Sequence, residues 1–213
     1  MRTLTTEGII LKRINYKDAD RILTVYTKDL GKIIVLAKGV RKLTSKKRGD
    51  LELFNQTKIS LAKGKTWYIV TQTELINDFN NIKLNNISTS YGFFIAEIFE
   101  KLTNEDEINK RLYAFLLKTY EALNCDNENI NIVNAFQLKI LNMSGFLNIS
   151  NFEKILSEKQ NKYIKYLVSK PFDTILKLDK SRLDNNFLKE VNNYLTKYTE
   201  DILDKELKVK IGD

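Results

Sequence analysis

With 213 residues, 43% of them hydrophobic and 10% aromatic, the chain has apolar material for one large domain or two small ones, and no apolar run reaches the roughly 18–20 residues that span a bilayer. It contains no histidine and one cysteine, Cys125, which excludes Ser-His-Asp and Cys-His nucleophiles and any zinc site built from imidazoles or several thiolates. The net charge of +8 is concentrated: residues 1–80 hold 16 Lys and Arg against 8 Asp and Glu, whereas residues 81–213 hold 19 of each.

The first 78 residues carry strand signals separated by short turns. Glu7–Arg13 contains the run Ile9, Ile10, Leu11; Arg21–Thr27 is rich in β-branched and aromatic side chains; Lys32–Lys38 carries Ile33, Ile34, Val35 and Leu36. Asn15 to Asp20 and Lys28 to Gly31 supply turn formers, with Gly31 suited to a positive φ. Leu51–Leu61 and Thr66–Leu75, joined by Lys63-Gly64-Lys65, read as a hairpin. Five strands with no helix of ordinary length among them predict a small barrel, because closure removes exposed sheet edges. An OB-fold is the first reading and an SH3-like barrel the alternative. Between the third and fourth strands, Lys38, Arg41, Lys42, Lys46, Lys47 and Arg48 fall within eleven residues that contain no acid, which predicts a solvated loop. Such cations neutralise phosphates and release condensed counterions, a sequence-independent source of nucleic-acid affinity. A loop that only aids solubility is the alternative. The turn at Asn15–Asp20 and the Lys63–Lys65 turn are further candidates for the same surface. For Tyr26, Phe54, Trp67 and Tyr68 a core role is commoner than base stacking, but adjacent Trp67 and Tyr68 face opposite sides of a regular strand, so one is expected outside.

After Asn77-Asp78 the apolar spacing becomes helical. Tyr91, Phe94, Ile95, Ile98, Phe99 and Leu102 form one repeat, and Ile108, Leu112, Phe115, Leu116, Tyr120 and Leu123 a second. Thr103-Asn104-Glu105-Asp106 between them reads as a cap followed by acids at a helix N-terminus. A third helix is predicted from about Ile130 to Ser144, stopping at Gly145. The stretch Phe152–Lys170 is a weaker pattern; Pro171 can open a short helix through Leu178, and Phe187 to Leu203 marks a C-terminal helix. Asp18, Asp20, Glu105, Asp106, Glu107, Asp201 and Asp204 are scattered over turns and helix ends, and no GxxxxGK[ST] or GxGxxG motif exists, so the chain does not read as an enzyme. The N-terminus lacks a signal-peptide pattern and Cys125 has no internal partner, so the cytoplasm is the expected address and a small buried hydrophobe the expected role of that cysteine.

The string from Gly8 through Tyr16 and Asp20 to Thr24, then Leu30-Gly31-Lys32 and Ala37 to Lys42, resembles the N-terminal domain of the bacterial DNA repair protein RecO family. The likeness continues through Gly49 to Phe54, and Asn134 to Leu138 with Met143 to Phe146 resemble the family's second domain. The resemblance implies an α+β chain: a five-stranded OB-fold barrel over residues 1–79, followed by an all-helical domain over 80–213. It also implies a non-enzymatic mediator that binds single- and double-stranded DNA, anneals complementary strands, and works with RecR to load RecA onto DNA coated by single-stranded-DNA-binding protein (SSB). No membrane partner is implied. The family's basic residues correspond to Lys38 and Arg41, with Lys42 adjacent. Its docking site for the SSB tail suggests Phe136, Lys139 and Ile140, with plain core and surface roles as the alternative. Many members carry a four-cysteine zinc motif after the Gly-Phe position; Leu147–Tyr166 has no cysteine here, so no zinc or other cofactor is expected, with packing of Phe152, Ile155, Leu156, Tyr163, Ile164 and Leu167 as a substitute. Two further readings are a protein-interaction adaptor with an acidic protein partner and an RNA-binding barrel.

Overall fold

Alternating inward Ile, Val and Leu side chains drive five strands in the computed structural model, which describes residues 3–178 and 183–211: β1 (Thr3–Tyr16), β2 (Asp20–Thr27), β3 (Gly31–Ala37), β4 (Gln56–Lys63) and β5 (Tyr68–Asn77). They close in the order β1-β2-β3-β5-β4, with β4 returning to β1. All neighbours are antiparallel except β3 and β5. This is the OB-fold barrel the sequence predicted, and its order sets aside the SH3-like alternative. β1 is long because its first half pairs with β4 and its second half with β2, and a bulge between Ile10 and Lys12 bends it from one to the other. Ile10, Leu23, Val25, Val35, Ile59 and Leu61 fill the interior with no exposed area. Each such side chain contributes about 1.5–3 kcal/mol through burial.

The segment read as one strand from Leu51 to Leu61 instead follows the short helix α1 (Lys47–Asp50) and opens on turns, and β4 starts only at Gln56. Local hydrogen bonds outcompete the ladder there. The Asn55 side-chain amide donates to the Gly49 carbonyl (2.9 Å), the Thr57 hydroxyl donates to the Asp50 carbonyl (2.6 Å), and Phe54 takes φ +70°.

Residues 103–120 pack with the barrel: one compact unit comprises residues 1–80 and 103–120, the other 81–102 and 121–213. The first unit therefore includes a stretch that the 1–79/80–213 division assigns to the helices. Thr103–Asp106 does not cap a helix. The Asp106 N–H donates to the Lys32 carbonyl (3.0 Å) and the Lys32 ammonium donates to the Thr103 carbonyl, so residues 103–107 run along the start of β3. Gly31 makes that approach feasible. It takes φ +68°, and a Cβ there would lie 2.2 Å from the Glu107 carbonyl oxygen. Helix α3 (Lys110–Cys125) is capped by Asn109, whose side-chain oxygen accepts from the Arg111 and Leu112 N–H groups, both at 3.1 Å. Within this unit Tyr120 packs against Phe54 and Phe79 at centroid distances of 5.6 and 5.9 Å.

The second unit contains α2 (Asn86–Leu102), α4 (Ile130–Met143), α5 (Ile149–Glu153), α6 (Glu158–Ser169), α7 (Phe172–Ile175) and α8 (Asn185–Leu203). Helix α4 is its centre: α2, α6, α7 and α8 all pack on it, so it is buried around most of its circumference. The Asn129 side chain caps it, and its exit is a Schellman arrangement in which Phe146 N–H reaches the Leu141 carbonyl (2.9 Å) and Gly145 takes φ +78°. Some buried amides pair inside: Tyr163 donates to Asn131 (2.6 Å) and Asn192 donates to Asn134 (2.8 Å), whereas the buried Gln137 amide has no hydrogen-bond partner among the described residues. The weak pattern over 152–170 resolves into α5 and α6, the latter opened by a Ser157–Gln160 capping box. Cys125, expected to be buried, is exposed at the end of α3.

Candidate nucleic-acid interface

Two apolar anchors define the basic segment. Val40 and Leu51, both with no exposed area, fix its ends in the barrel core, and the residues between them turn outward. The turn formers make local bonds there, Lys42 N–H to the Gly39 carbonyl (3.2 Å) and Ser45 N–H to the Lys42 carbonyl (3.0 Å), so the segment is a series of turns leading into α1. It is tied to the β1–β2 turn. Gly39 N–H donates to the Asp20 carboxylate (2.7 Å), Arg41 N–H donates to the Ala19 carbonyl (2.9 Å), and the Arg41 guanidinium donates to the carbonyls of Lys17 (3.4 Å) and Asp18 (3.3 Å). On the other side the Lys47 ammonium donates to the Val70 carbonyl on β5 (3.2 Å).

All six predicted cations are thus gathered on one stretch against the barrel. Lys38, Arg41, Lys42, Lys46 and Arg48 are exposed and Lys47 is half-buried. Among the described residues, none of the six ion-pairs with a carboxylate. Behind them lie two arginines that the sequence reading missed, Arg13 and Arg21, which share the single carboxylate of Glu52. Burial, and then the positive charges of Arg13, Arg48 and Arg41, lower the Arg21 pKa from its ordinary value. A guanidinium stays charged in a protein nonetheless. A hairpin alignment across the 17–19 turn would have found this pair, because Asn15 stands opposite Arg21 and Arg13 opposite Leu23, which puts both arginines on one face.

The turn at 15–20 contributes more than charge. The Tyr16 ring meets Trp67 edge-on (5.7 Å between centroids) and the Lys17 ammonium lies 5.3 Å from the Tyr16 centroid. Trp67 and Tyr68 are both half-buried, because Trp67 precedes β5 and the alternation of a regular strand does not govern it. Tyr26 and Phe54 are core residues, each about 1% exposed. The surface as a whole offers uncompensated ammonium and guanidinium donors with aromatic faces at one end, an arrangement suited to an anionic, base-bearing polymer.

The other predicted site disperses. Phe136 and Ile140 have no exposed area and belong to the core of α4, and the Lys139 ammonium donates to the Val168 carbonyl (3.0 Å), its pKa lowered by burial. Side chains that interdigitate with four neighbouring helices cannot also line an open pocket. The stretch from Leu147 to Tyr166 offers no thiolate or imidazole for zinc; there Phe152 packs against Tyr194 (5.4 Å) and Tyr198 (4.9 Å). Tyr163, Ile164 and Leu167 are buried alongside as expected, but Ile155 is 68% exposed and adds nothing to that packing. Among the described residues no helix is long and apolar enough to cross a membrane.

A family model described as Recombination protein O N terminal matches residues 1–79, and one described as Recombination protein O C terminal matches residues 86–148. A DNA repair protein RecO of Roseiflexus sp. (strain RS-1) is 34% identical over 145 residues, 68% of this chain and 51% of that protein. The namesake from Dehalococcoides mccartyi (strain ATCC BAA-2266 / KCTC 15142 / 195) is 36% identical over 141 residues, 66% of this chain and 56% of the relative. The matched region thus spans about half the length of these two relatives. A RecO of Thermoanaerobacter sp. (strain X514) aligns along 99% of this chain and 96% of its own length at 28% identity.

Proposed function

Because the chain belongs to the recombination protein O family, we propose that it is a DNA-binding recombination mediator whose barrel grips sugar-phosphate backbones through Lys38, Arg41, Lys42, Lys46, Lys47 and Arg48. The observation that carries this reading is the absence of any carboxylate partner for those six side chains among the described residues, on a segment held against the barrel. Cations with no internal counter-charge keep their attraction for phosphate. Backbone contacts without base readout suit annealing, since they neutralise two strands that repel each other and leave the bases free to pair. In this reading the protein binds single- and double-stranded DNA, anneals complementary strands, and cooperates with RecR to load RecA onto SSB-coated DNA, all without catalysis of its own.

The test is DNA affinity by anisotropy across a salt series, with unrelated single- and double-stranded sequences. Neutralising about five phosphates gives log affinity against log salt a slope of roughly −3.5 to −4.5. Replacing Lys38 and Arg41 with Glu weakens all sequences alike and flattens the slope. An unchanged slope in a folded double variant removes the basic segment from the mechanism. Annealing of SSB-coated oligomers, with and without RecR, then tests the partner side.

A further inference from the structure

The barrel is incompletely sealed along one seam. β3 pairs with β5 only through Val35 opposite Tyr68 and Leu36 opposite Ile69, which leaves the first half of β3 without a strand on that edge. The β4–β5 turn and residues 105–106, the latter tied to Lys32, border the gap, and between them lies a pocket of about 310 Å³. That volume is at the lower end of those that hold a small molecule. Its walls include Ile33, Ile34, Tyr68 and the half-buried Trp67. The tight turn that presents Trp67 depends on Gly64, where a Cβ would fall 2.3 Å from the Trp67 carbonyl oxygen.

Four exposed charged side chains line the same pocket, Lys63 and Lys65 from the turn and Glu105 and Asp106 from the 103–107 stretch. Among the described residues none of the four forms an ion pair or a side-chain hydrogen bond, with one another or elsewhere. Opposite charges that share a pocket without pairing leave donors and acceptors open to a ligand that carries both. A nucleotide does so: its phosphate suits the ammonium groups, its flat face the indole, and the N–H groups of its base the carboxylates. Carboxylates only accept, so they favour guanine, whose pairing edge presents adjacent N1–H and N2–H donors, over thymine, whose single N3–H is flanked by two carbonyl oxygens. In a duplex that edge is occupied by the partner base.

We propose that this pocket binds one unpaired base of a single strand, guanine in preference to thymine, stacked on Trp67 with its phosphates at Lys63 and Lys65. The proposal rests on the DNA-binding reading above and gives it a strand-selective element that the basic segment lacks.

Trp67 is the only tryptophan in the chain, so the intact protein reports on its own pocket. Trp67 emission is expected to be quenched by an oligo-dT strand and to change little with a blunt duplex. The same strand with one dT replaced by dG binds roughly 5- to 10-fold tighter, the lower end of the discrimination of one good base contact. Glu105→Gln with Asp106→Asn, at exposed positions outside the core, erases that preference. Trp67→Ala weakens single strands at least about fivefold and leaves duplex binding in place. Strand binding by anisotropy with silent tryptophan emission, or equal affinity with and without dG, overturns the pocket while the basic segment stands. If neither strand nor duplex binds, the DNA-binding reading fails and takes the pocket with it.

Discussion

Both units of this chain carry ion pairs, but the basic segment of the barrel unit stands apart from the rest. In the helical unit, four lysines are matched at short range: Lys101 with Glu97 (2.9 Å), Lys162 with Glu158 (2.6 Å), Lys165 with Glu153 (2.6 Å) and Lys210 with Glu200 (2.5 Å). In the barrel unit Arg13, Arg21, Lys28, Lys58 and Lys110 are matched too, but the six cations of residues 38–48 have no such match among the described residues. Exposed pairs contribute about 0–1 kcal/mol each, so the matched set does little for stability, but it cancels the field that would draw a polyanion. Unmatched cations carry a repulsive cost that the fold tolerates by anchoring the segment through Val40 and Leu51. The difference separates the segment proposed to hold a polyanion from surfaces on which cations sit beside carboxylates.

The sharpest way to break this contrast is to attack each unit where it is strongest. Phe136→Ala, in the fully buried centre of α4, should cost about 3–5 kcal/mol in a denaturant titration, with DNA affinity per folded molecule unchanged. A loss of affinity without loss of stability would instead assign that side chain a partner. The Lys38→Glu, Arg41→Glu pair should lower DNA affinity about a hundredfold at moderate salt while the melting temperature holds. Asn129→Ala removes the α4 cap and should cost about 1 kcal/mol with no effect on DNA, read by the same titration.

The smallest effect is a pH dependence confined to the helical unit. Burial alone would raise the Glu97 carboxyl, but the Lys208 N–H, the Lys101 ammonium and the Val209 N–H outweigh it and hold its pKa below the ordinary glutamate value. A depressed carboxylate stabilises the fold above its unfolded pKa, and that contribution fades as pH falls through the folded value. The melting-temperature gap between wild type and Glu97→Gln should therefore be widest near neutrality and narrow below about pH 4.5. A gap that stays constant would show that the bonds to residues 208 and 209 do not depend on the charge.

Local signals carried most of the fold. Period-two runs gave the strands, and period-3.6 runs gave the helices. The acid-free composition of 38–48 was enough to find the basic segment, because a solvated cationic stretch is a local property. What escaped was decided at a distance. Nothing near Thr103 shows that its carbonyl will take the Lys32 ammonium, so a plausible cap became a stretch laid along β3. The repeat in α4 does not show that four other helices enclose it, so helical spacing leaves Phe136 and Ile140 open both to the partner site that the family resemblance suggests and to the core, where they lie. The pocket beside Trp67 depends on two such distant meetings at once.

Completion of the barrel unit by residues 103–120 has a consequence for synthesis. A nascent chain that has emerged only as far as residue 80 possesses every strand, yet Phe54 and Phe79 still lack Tyr120, and Gly31 faces no Glu107. Those aromatic faces stay unsheltered on the ribosome until some forty more residues appear, at speeds of roughly 5–20 residues per second a delay of about two to eight seconds. The early translation product therefore finishes its first folding unit only after residues 81–102 of the second have emerged.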